Sequence, residues 1–422
     1  MTRRRMAVVG SGIAGLTAAH VLQQSADVTL FEADGRLGGH ADTHEVALPN
    51  GSTAGVDTGF IVHNRRTYPT LLRLFAELGV ETQESDMSMS VSCAGCGLEY
   101  AGGRGLSGVL PSLRTLSNTR YLRMLGEVRR FHRQAHGVLA GDDDELTLAQ
   151  FLSAGGFSPY FVGHFMTPLV ASVWSTAPTR AGDYPARFLF AFLDNHGMLS
   201  VRGAPTWYTV VGGSSRYVER AAKGLTAVQS STPIRAVERV STGVVIRDDA
   251  DSVEHFDGAV IATHPRHALG MLSEPTTLER ELLAAIDYTV NPTVLHTDAS
   301  VLPRARRAQA SWNYSMQACA AQPTSVQVSY NMSRLQRLDQ LGATCTYVVS
   351  LNAGERVDAR TIIDRMHYEH PVYTTRSVAA RERLPQLNDG VLAFAGAYHG
   401  WGFHEDGARS GVAAASSLGV QW

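Results

Sequence analysis

The sequence has few cysteines, few prolines and almost no net charge. Four cysteines and 16 prolines occur among 422 residues, and 37 basic against 39 acidic side chains give a net charge of −2. So few cysteines exclude a disulfide-stabilised secreted domain and are typical of a reducing compartment such as the cytoplasm. The near-zero charge provides no overall attraction to DNA or RNA, so we expect no nucleic-acid partner. Apolar runs are also short, below the ~18 residues that a membrane-spanning helix requires.

Two of the four cysteines, Cys93 and Cys96, form a single C-x-x-C pair. A structural zinc site needs four ligands, and no second pair of Cys or His follows at the spacing found in zinc fingers. The pattern therefore predicts a turn that carries two free thiols, and no metal site is expected. The sequence motifs of serine hydrolases, P-loop kinases and zinc proteases are missing as well, which excludes these enzyme classes.

The N-terminal segment contains a strand, a glycine-rich turn, a helix and a second strand that ends in an acid. The turn consists of Gly10, Ser11, Gly12, Ile13, Ala14 and Gly15, and the acid is Glu32. Gly10 permits the tight turn, Gly12 lets a pyrophosphate approach the backbone, and Gly15 lets helix and strand pack closely. The first N–H groups of the helix favour phosphate charge. Glu32 can accept hydrogen bonds from ribose hydroxyls and would repel a 2′-phosphate, so the segment predicts a dinucleotide that lacks this phosphate.

A second glycine-rich segment follows this acid directly. It comprises Ala33 and, after a short turn, Arg36, Leu37, Gly38, Gly39 and His40. A cation with two glycines can form a second cradle for the same pyrophosphate, as an extended flavin dinucleotide requires and a nicotinamide dehydrogenase does not. Further along, Asp57, Thr58 and Gly59 are additional cofactor candidates, although this pattern by itself is more typical of an ordinary turn.

A glycine-rich crossing lies between the last predicted strand, which ends at Gly396, and the last predicted helix, which starts near Glu405. The N-terminus of this helix would favour the negative charge that a flavin develops on reduction. The crossing also carries candidates for moving the proton that accompanies hydride transfer. They are Tyr398, His399, His404 and Glu405. A structural role in capping a turn explains any one of these histidines equally well.

Together these motifs resemble the superfamily of FAD-dependent amine oxidases, protoporphyrinogen oxidases and phytoene desaturases. The resemblance implies that residues 10–15 and Arg36 bind the pyrophosphate, that Glu32 binds the adenosine ribose and that the Val237 backbone meets the adenine. It places Gly396 and Gly407 near the isoalloxazine. The further residues of the implied FAD site are Thr263, Ala397, Phe403, His404 and Glu405. His40 stands where amine oxidases usually have Arg, and the lone lysine, Lys223, lies outside the expected substrate domain.

The resemblance implies an α/β fold in which a Rossmann-type FAD-binding domain is interleaved with an α+β substrate domain. Residues 1–80, 206–270 and 385–422 would form the FAD-binding domain, and residues 81–205 and 271–384 the substrate domain. Within the substrate domain, residues 81–205 are expected to be largely helical, whereas residues 271–384 contain strand-like runs. Motifs such as residues 174–176 and 367–371 are similar to a bacterial subgroup often encoded beside cyclopropane-fatty-acid-synthase-like methyltransferases.

Residues 104–133 contain seven arginines and one acid, Glu127. A basic amphipathic helix of this kind suits an anionic membrane surface, at the inner face of the membrane, or a protein partner such as the methyltransferase. An ordinary helix with solvated arginines explains the pattern too. Several aromatic residues are candidates for lining an acyl tunnel, although core positions would account for them equally. They are Trp174, Phe188, Phe190, Phe192, Trp207 and Trp312.

The sequence and the resemblance together predict an FAD-dependent oxidoreductase that acts on a lipid. The expected reaction is oxidation, desaturation or isomerisation of an unsaturated or modified fatty acyl chain by hydride transfer to flavin N5. One alternative is a flavin amine oxidase that releases an aldehyde and hydrogen peroxide. The other is a flavin-binding accessory subunit of a lipid methyltransferase.

Overall fold

The computed structural model of the protein describes residues 3–200, 203–319 and 324–422. The strands of this part of the chain are β1 (Arg4–Val9), β2 (Ala26–Phe31), β3 (Thr43–Ala47), β4 (Thr53–Asp57), β5 (His63–Asn64), β6 (Thr82–Ser85), β7 (Met89–Cys93), β8 (Leu98–Gly102), β9 (Trp207–Val210), β10 (Ala227–Gln229), β11 (Ile234–Val240), β12 (Gly243–Asp248), β13 (Val253–Phe256), β14 (Gly258–Ile261), β15 (Tyr288–His296), β16 (Trp312–Met316), β17 (Val328–Asn331), β18 (Val348–Leu351), β19 (Ile362–Pro371) and β20 (Leu392–Phe394).

The α-helices are α1 (Ile13–Gln23), α2 (Pro69–Leu78), α3 (Gly105–Val109), α4 (Leu113–Leu116), α5 (Thr119–Leu139), α6 (Leu148–Ala154), α7 (Pro159–Phe161), α8 (Thr167–Trp174), α9 (Ala186–Asn195), α10 (Ser215–Lys223), α11 (Pro265–Met271), α12 (Thr277–Leu283), α13 (Met332–Leu335), α14 (Thr375–Arg383) and α15 (His404–Ser417). A π-helical turn, Val162–Met166, joins α7 to α8. In the described part of the chain, no helix is both long and apolar enough to cross a membrane.

A parallel five-stranded sheet forms the first layer, in the order β10-β2-β1-β14-β20. Met6, Ala7 and Val8 of β1 are fully buried, as expected for a strand that is covered on both faces. Helix α1 leaves β1 through the glycine turn, where a Cβ on Gly15 would lie 1.9 Å from the carbonyl oxygen of Gly10. Only glycine fits at this crossing of helix and strand, which confirms the packing role predicted for Gly15.

The seven-stranded sheet has the order β19-β15-β18-β17-β16-β7-β8. Strands β7 and β8 come from the region that the sequence predicts to be largely helical, and β7 pairs in parallel with β16. The prediction missed them because Met89–Cys93 and Leu98–Gly102 are short, and Ser and Gly interrupt their apolar pattern. Helices α3–α9 follow, and Phe131, Phe161 and Phe190 pack in their core.

Candidate functional site

The N-terminus of α1 is open towards the carboxyl edge of the parallel sheet. Gly12 precedes the helix, and no side chain caps its first N–H groups. A Cβ built on Gly12 would meet no atom within 4 Å, whereas one on Gly10 would lie 2.7 Å from the Ala262 carbonyl oxygen. The helix end therefore offers unpaired N–H donors next to free space, which is the arrangement that a phosphate group requires.

Glu32 lies at the end of β2 and is fixed by Ser11. One carboxylate oxygen accepts hydrogen bonds from the Ser11 N–H at 2.9 Å and from its hydroxyl at 2.5 Å, and the other accepts from the Asp34 N–H at 3.0 Å. The Gly38 N–H donates to the Ser11 hydroxyl oxygen at 3.0 Å. Ser11 thus holds the second glycine segment against the first, and the remaining acceptor capacity of Glu32 faces the same edge of the sheet.

The second glycine segment supplies a cation and a buried histidine. Arg36 is half-exposed and forms an ion pair with Asp42 at 3.1 Å. The His40 ring lies 5.2 Å from the ring of Tyr368 and 5.4 Å from that of His370. Burial lowers the pKa of His40 to about 4, and the nearby His264 and Arg36 lower it further. His40 is therefore a neutral imidazole at neutral pH, unlike the cation that the related oxidases usually carry at this position.

Asp57 and Thr58 act within the protein interior. One Asp57 oxygen accepts hydrogen bonds from the Thr43 hydroxyl at 2.6 Å and from the Ser214 N–H at 2.8 Å, and the other accepts from Gln336 at 3.1 Å. The Thr58 hydroxyl lies 2.6 Å from that of Tyr368. The described contacts of Asp57 and Thr58 thus join β4 to the start of α10 through Ser214. They also join it to the region of the seven-stranded sheet through Gln336 and Tyr368.

Position 59 requires glycine for a steric reason, because a Cβ there would lie 2.2 Å from the His40 carbonyl oxygen. The backbone of this turn therefore passes directly against the second glycine segment. The hydrogen bonds of Asp57 and Thr58 and the close backbone contact of Gly59 show that residues 57–59 pack against the second glycine segment and do not face open space.

Val237 occupies a different place from the one implied by the resemblance. Its side chain is buried in the core under the three-stranded sheet, and its carbonyl accepts a hydrogen bond from the Ser273 N–H at 3.0 Å. The segment nearest Glu32 comes earlier, because the Thr232 N–H donates to the Glu32 carbonyl at 2.8 Å. Ile234 lies at the start of β11, where the pairing with β12 has a register shift. The spacing of the motif does not reveal this shift.

The N-terminus of α15 lies beside that of α1. A Cβ on Gly407 would lie 2.6 Å from the Ile13 side chain, and one on Gly411 would lie 2.3 Å from the Ala14 carbonyl oxygen. These glycines let two parallel helices pack with their backbones close together. Thr263, at the end of β14, lies at the same edge, 3.2 Å from the position of a Cβ on Gly10. Two helix N-termini therefore point towards one region at the carboxyl edge of the sheet.

Glu405 uses both carboxylate oxygens to cap helix α2. The Thr70 and Leu71 N–H groups donate to them, each at 3.0 Å. Asp406 accepts from the N–H groups of Trp401 and Phe403 at 3.0 and 3.1 Å. The described contacts therefore give Glu405 a capping role, different from the acid–base role expected from its position in the crossing.

The other three acid–base candidates differ in their surroundings. The His404 ring stacks on Phe60 with centroids 3.6 Å apart, and its Nε2 lies 3.1 Å from the Tyr217 hydroxyl, so it faces the core of the nucleotide-binding half. Tyr398 and His399 each have a buried polar atom, the hydroxyl and Nε2, with no hydrogen-bond partner among the described residues. Burial lowers the pKa of His399 to about 4. Of the candidates, Tyr398 and His399 are the ones with free polar atoms.

The structure adds a histidine cluster that the sequence reasoning did not assign to the site. His264 follows β14, and His370 lies on β19 next to His40. Glu369 accepts a hydrogen bond from His264 at 2.7 Å, and Asn291 lies 3.0 Å from His370 Nδ1. Burial lowers the pKa of His370 to about 3. The residues 367–371 were visible as a motif, but only the tertiary fold shows that they meet His40.

The C-x-x-C pair is not isolated in the structure. Cys319 lies 3.7 Å from Cys93, and His164 lies 3.7 Å from Cys96, measured between Sγ atoms and between Sγ and Nε2. No second pair at zinc-finger spacing accompanies these cysteines, but the fold brings a Cys and a His to them from 226 and 68 residues along the chain.

Comparison with known proteins agrees with this geometry. The family model for flavin containing amine oxidoreductases matches residues 13–301. The chain belongs to this family. It is therefore an FAD-dependent oxidoreductase, and the predicted α/β architecture, in which a Rossmann-type sheet accompanies a second, mixed sheet, is confirmed.

Solved structures with the same fold include two amine oxidases and a fatty acid isomerase. They are putrescine oxidase bound to putrescine (TM-score 0.68, 16% identity, 98% of each chain), cyclohexylamine oxidase from Brevibacterium oxydans IH-35A (0.68, 16%, 99% of this chain and 98% of that one), and the CLA-producing fatty acid isomerase from P. acnes (0.68, 15%, 97% of each chain). At these identities the likeness establishes the fold that the chains share.

The residues present at the carboxyl edge of the sheet fit FAD. The open N-terminus of α1 and Gly12 would hold the pyrophosphate, and Glu32 would bind the ribose. The N-terminus of α15 would lie near the flavin ring, and Tyr398 and His399, in the crossing before it, have buried polar atoms without a partner among the described residues. Such atoms are costly to bury unless a bound group satisfies them. Arg36 could reach the pyrophosphate only by leaving Asp42, because that ion pair holds it in the structure.

Proposed function

We propose that this FAD-dependent oxidoreductase oxidises, desaturates or isomerises an unsaturated or modified fatty acyl chain. Bound FAD supplies a hydride acceptor at N5. The observation that carries the proposal is the aromatic wall next to the glycine-rich crossing, which would face an apolar substrate. The aromatic wall consists of Trp174, Phe188, Phe192, Tyr373, Trp401 and Phe403.

The rings of the aromatic wall pack against one another. Phe192 stacks on Phe403 with centroids 4.8 Å apart, and Trp174 lies 4.7 Å from Phe192. The Trp174 N–H donates to the Trp401 carbonyl at 2.9 Å, which fixes the crossing against α8. Trp174, Phe188, Phe192 and Tyr373 are buried in the core, so Trp401 and Phe403, which are partly exposed, are the rings that a substrate could meet. Such rings bind apolar chains and offer an ammonium group only their faces.

The acids of the crossing are already engaged. Glu405 caps α2 and Asp406 caps the start of α15, so neither carboxylate is free to bind a substrate ammonium. The one lysine, Lys223, lies at the end of α10, away from the aromatic wall. Both facts favour a lipid over an amine.

A cavity of about 660 Å³ lies among α6, the π-helical turn and the end of β16. This volume is within the range of small-molecule sites. Its apolar lining includes Leu152, Phe157, Met166 and Met316. The cavity offers space for an acyl chain, and its lining includes Cys319 and none of the residues of the aromatic wall.

His40 and His370 are the chain's candidates for holding or moving a proton beside the cofactor. Their pKa values, about 4 and about 3, leave both rings neutral at neutral pH. Rings with such low pKa values are weak bases, so their contribution is to donate or accept hydrogen bonds beside the cofactor and to relay a proton that another group releases. This assignment adds two residues to Tyr398 and His399 as proton-transfer candidates.

The proposal is tested by anaerobic spectroscopy of the purified yellow protein. Unsaturated phospholipids or fatty acids should either bleach the flavin bands or change double-bond positions, as read by mass spectrometry of the recovered lipid. Putrescine and cyclohexylamine serve as the comparison substrates. Bleaching by these amines with release of aldehyde and hydrogen peroxide, and no change in any lipid, would replace the proposal by amine oxidation.

We further propose that helices α3–α5 dock on an anionic membrane surface that presents the lipid. Four of the ten exposed large aliphatic side chains of the described chain lie here. They are Leu106 (80% exposed), Leu113 (83%), Leu116 (46%) and Leu122 (43%). The inner face of α5 packs on the core through Tyr121, Met124 and Phe131. An ordinary amphipathic helix with solvated arginines would pack in the same way.

The charges of this face are of one sign. Glu127, its lone acid, is buried and accepts hydrogen bonds from Ser158, so it does not neutralise the surface. Arg123, Arg129 and Arg133 are exposed. Exposed leucines beside arginines suit the boundary between lipid headgroups and acyl chains.

Vesicle co-sedimentation tests this docking surface. Vesicles that contain phosphatidylglycerol should bind the wild-type protein, and binding should weaken at least about tenfold when Arg123, Arg129 and Arg133 are replaced by Glu. Arg376→Glu, on exposed α14, is the control with unchanged binding. A wild-type protein that stays in solution with these vesicles and instead co-purifies with the methyltransferase would reject a membrane in favour of a protein partner.

A further inference from the structure

Four possible metal ligands converge beside the turn between β7 and β8. They are Cys93, Cys96, His164 and Cys319, whose ligand atoms all lie within 4.8 Å of one another. Three of the chain's four cysteines are thus gathered from two regions that are far apart in sequence. We propose that these residues bind a structural Zn²⁺ ion with Cys₃His coordination.

Two of the ligand-to-ligand distances match a tetrahedral zinc site, and all of them lie within 4.8 Å. With Zn–S bonds of about 2.3 Å and a Zn–N bond of about 2.0 Å, neighbouring sulfur atoms are about 3.8 Å apart and sulfur lies about 3.5 Å from nitrogen. The observed separations are 3.7 Å between the Cys93 and Cys319 sulfurs and 3.7 Å between Cys96 Sγ and His164 Nε2. A disulfide would require about 2.05 Å instead, and all three thiols are free.

Tyr160 orients the histidine. His164 Nδ1 lies 3.1 Å from the Tyr160 carbonyl oxygen, so Nδ1 carries the proton and the lone pair of Nε2 faces the three sulfurs. The Tyr160 ring also stacks on the imidazole with centroids 4.0 Å apart, and its hydroxyl lies 3.8 Å from Cys96 Sγ. A backbone acceptor on the second nitrogen is the usual support of a metal-bound histidine.

Backbone features of all three ligand-bearing segments let the four side chains approach one another. The Gly97 N–H donates to the Cys93 carbonyl at 2.8 Å, and Gly97 has a positive φ of 69°, which favours glycine. A Cβ on Gly95 would lie 3.0 Å from the Cys319 nitrogen. The π-helical turn supplies His164, and such turns are frequent at functional sites.

The ligand set favours zinc over other metals. Three thiolates and one imidazole form a closed, soft donor set without a free position for substrate, as in structural zinc sites. Without a cation, three adjacent thiolates would repel one another. Metal can enter from solvent, because Cys319 is exposed and Cys96 lines a cavity of about 210 Å³. The ion would fasten the β7–β8 turn to the π-helical turn and to the end of β16.

Metal analysis of the FAD-loaded protein tests the site. We expect one zinc per chain in protein produced with zinc in the medium. Cobalt substitution should give the intense d–d bands of tetrahedral Co²⁺ with thiolate ligands, at longer wavelength than the flavin absorption. Cys319→Ser and His164→Asn should lose most of the zinc, whereas Cys345→Ser, the matched control at the fourth cysteine, should keep it.

A second measurement avoids variants that do not fold. A mercurial reagent added to the wild-type protein should release zinc as it titrates three thiols, with the flavin spectrum as a check on the fold. Four readily titrated thiols in a zinc-supplemented protein that holds no metal would overturn the proposal. A disulfide between Cys93 and Cys319 would overturn it too. These readouts are independent of substrate, so they separate the zinc site from the proposed lipid reaction.

Discussion

At the scale of single residues, the position of the Glu32 side chain depends on both glycine-rich segments of the cofactor motif. Ser11 of the first glycine segment donates two hydrogen bonds to it, and the Gly38 N–H of the second segment binds the same Ser11 hydroxyl. The carboxylate is thus oriented before any ligand arrives, which lowers the entropic cost of binding a ribose.

Replacement of Glu32 by Arg should abolish retention of FAD. The cation removes the acceptor for the ribose hydroxyls, and it leaves the Ser11 N–H without its partner. The ratio of flavin to protein absorbance after gel filtration measures the effect. Glu45→Arg, at an exposed position on β3, is the control and should keep full flavin. Full occupancy in the Glu32→Arg protein would remove Glu32 from the site.

Asp57 provides a prediction for pH. Burial raises its pKa to about 6 from 3.8, although hydrogen bonds from Thr43 and Ser214 oppose the shift. Between about pH 4 and pH 6 the folded protein therefore binds a proton that the unfolded chain does not, and the contribution of Asp57 to stability falls as pH rises. The Asp57→Asn variant has no group at this position that binds a proton in this pH range.

Relative to this variant, the wild-type protein should lose on the order of 2 kcal/mol of unfolding free energy between about pH 4 and pH 7. Urea unfolding of both proteins across this range provides the measurement. Parallel stability curves for the two proteins would show that Asp57 is ionised throughout, and the network around it would then have to stabilise the carboxylate fully.

At the scale of elements, one glycine of the β1–α1 turn is required for folding and another for binding a ligand. Gly15 has no space for a side chain, because its Cβ would lie 1.9 Å from the Gly10 carbonyl oxygen. Gly12 has φ of −63°, which any residue adopts, and no atom within 4 Å of a Cβ. The fold needs glycine at one position, and only a ligand needs it at the other.

Gly12→Ala should therefore give a folded protein that binds FAD poorly, with a melting temperature of the apo form within about 2 °C of the wild-type value. Gly15→Ala should destabilise the apo form itself by about 1–3 kcal/mol. Thermal melts of apo protein and FAD titrations distinguish the two variants. If Gly12→Ala binds FAD as tightly as wild type does, the pyrophosphate does not approach this turn.

The elements also show which parts of the site could be predicted from the sequence. The turn, α1 and Glu32 lie within some thirty residues, and their local pattern specifies the cradle. Glu405 was misread because its partners on α2 lie 335 residues away in sequence. The zinc ligands were missed for the same reason, because Cys319 and His164 lie 226 and 68 residues from the cysteines that they approach. Local spacing contains no information about such distant contacts.

At the scale of the whole molecule, the FAD site joins the parallel sheet to the seven-stranded sheet. His40 belongs to the first region and His370 to the second, while Asp57 is bonded to Gln336. Groups from both regions surround the place where the flavin ring would lie. The cofactor therefore binds the assembled form of the molecule and has no comparable site on the unfolded chain.

Removal of FAD should destabilise the protein and expose the junction between the two regions. At free FAD one hundred times above the dissociation constant, binding adds about 2.7 kcal/mol to the free energy of unfolding. We expect a lower melting temperature for the apo protein and faster limited proteolysis near the aromatic wall. Identical melting curves with and without added FAD would contradict a site of this kind.

The order of strands in the parallel sheet has a consequence for biosynthesis. Strand β1 leaves the ribosome well before β14, because 252 residues separate Met6 from its partner Gly258, and β20, which pairs with β14, follows later still. Until these strands are made, one edge of β1 has no neighbour and is prone to pair with other chains. Helix α15 follows β20 along the chain, so we expect flavin capture only after the sheet is complete, and the nascent chain must stay unaggregated without the help of its cofactor.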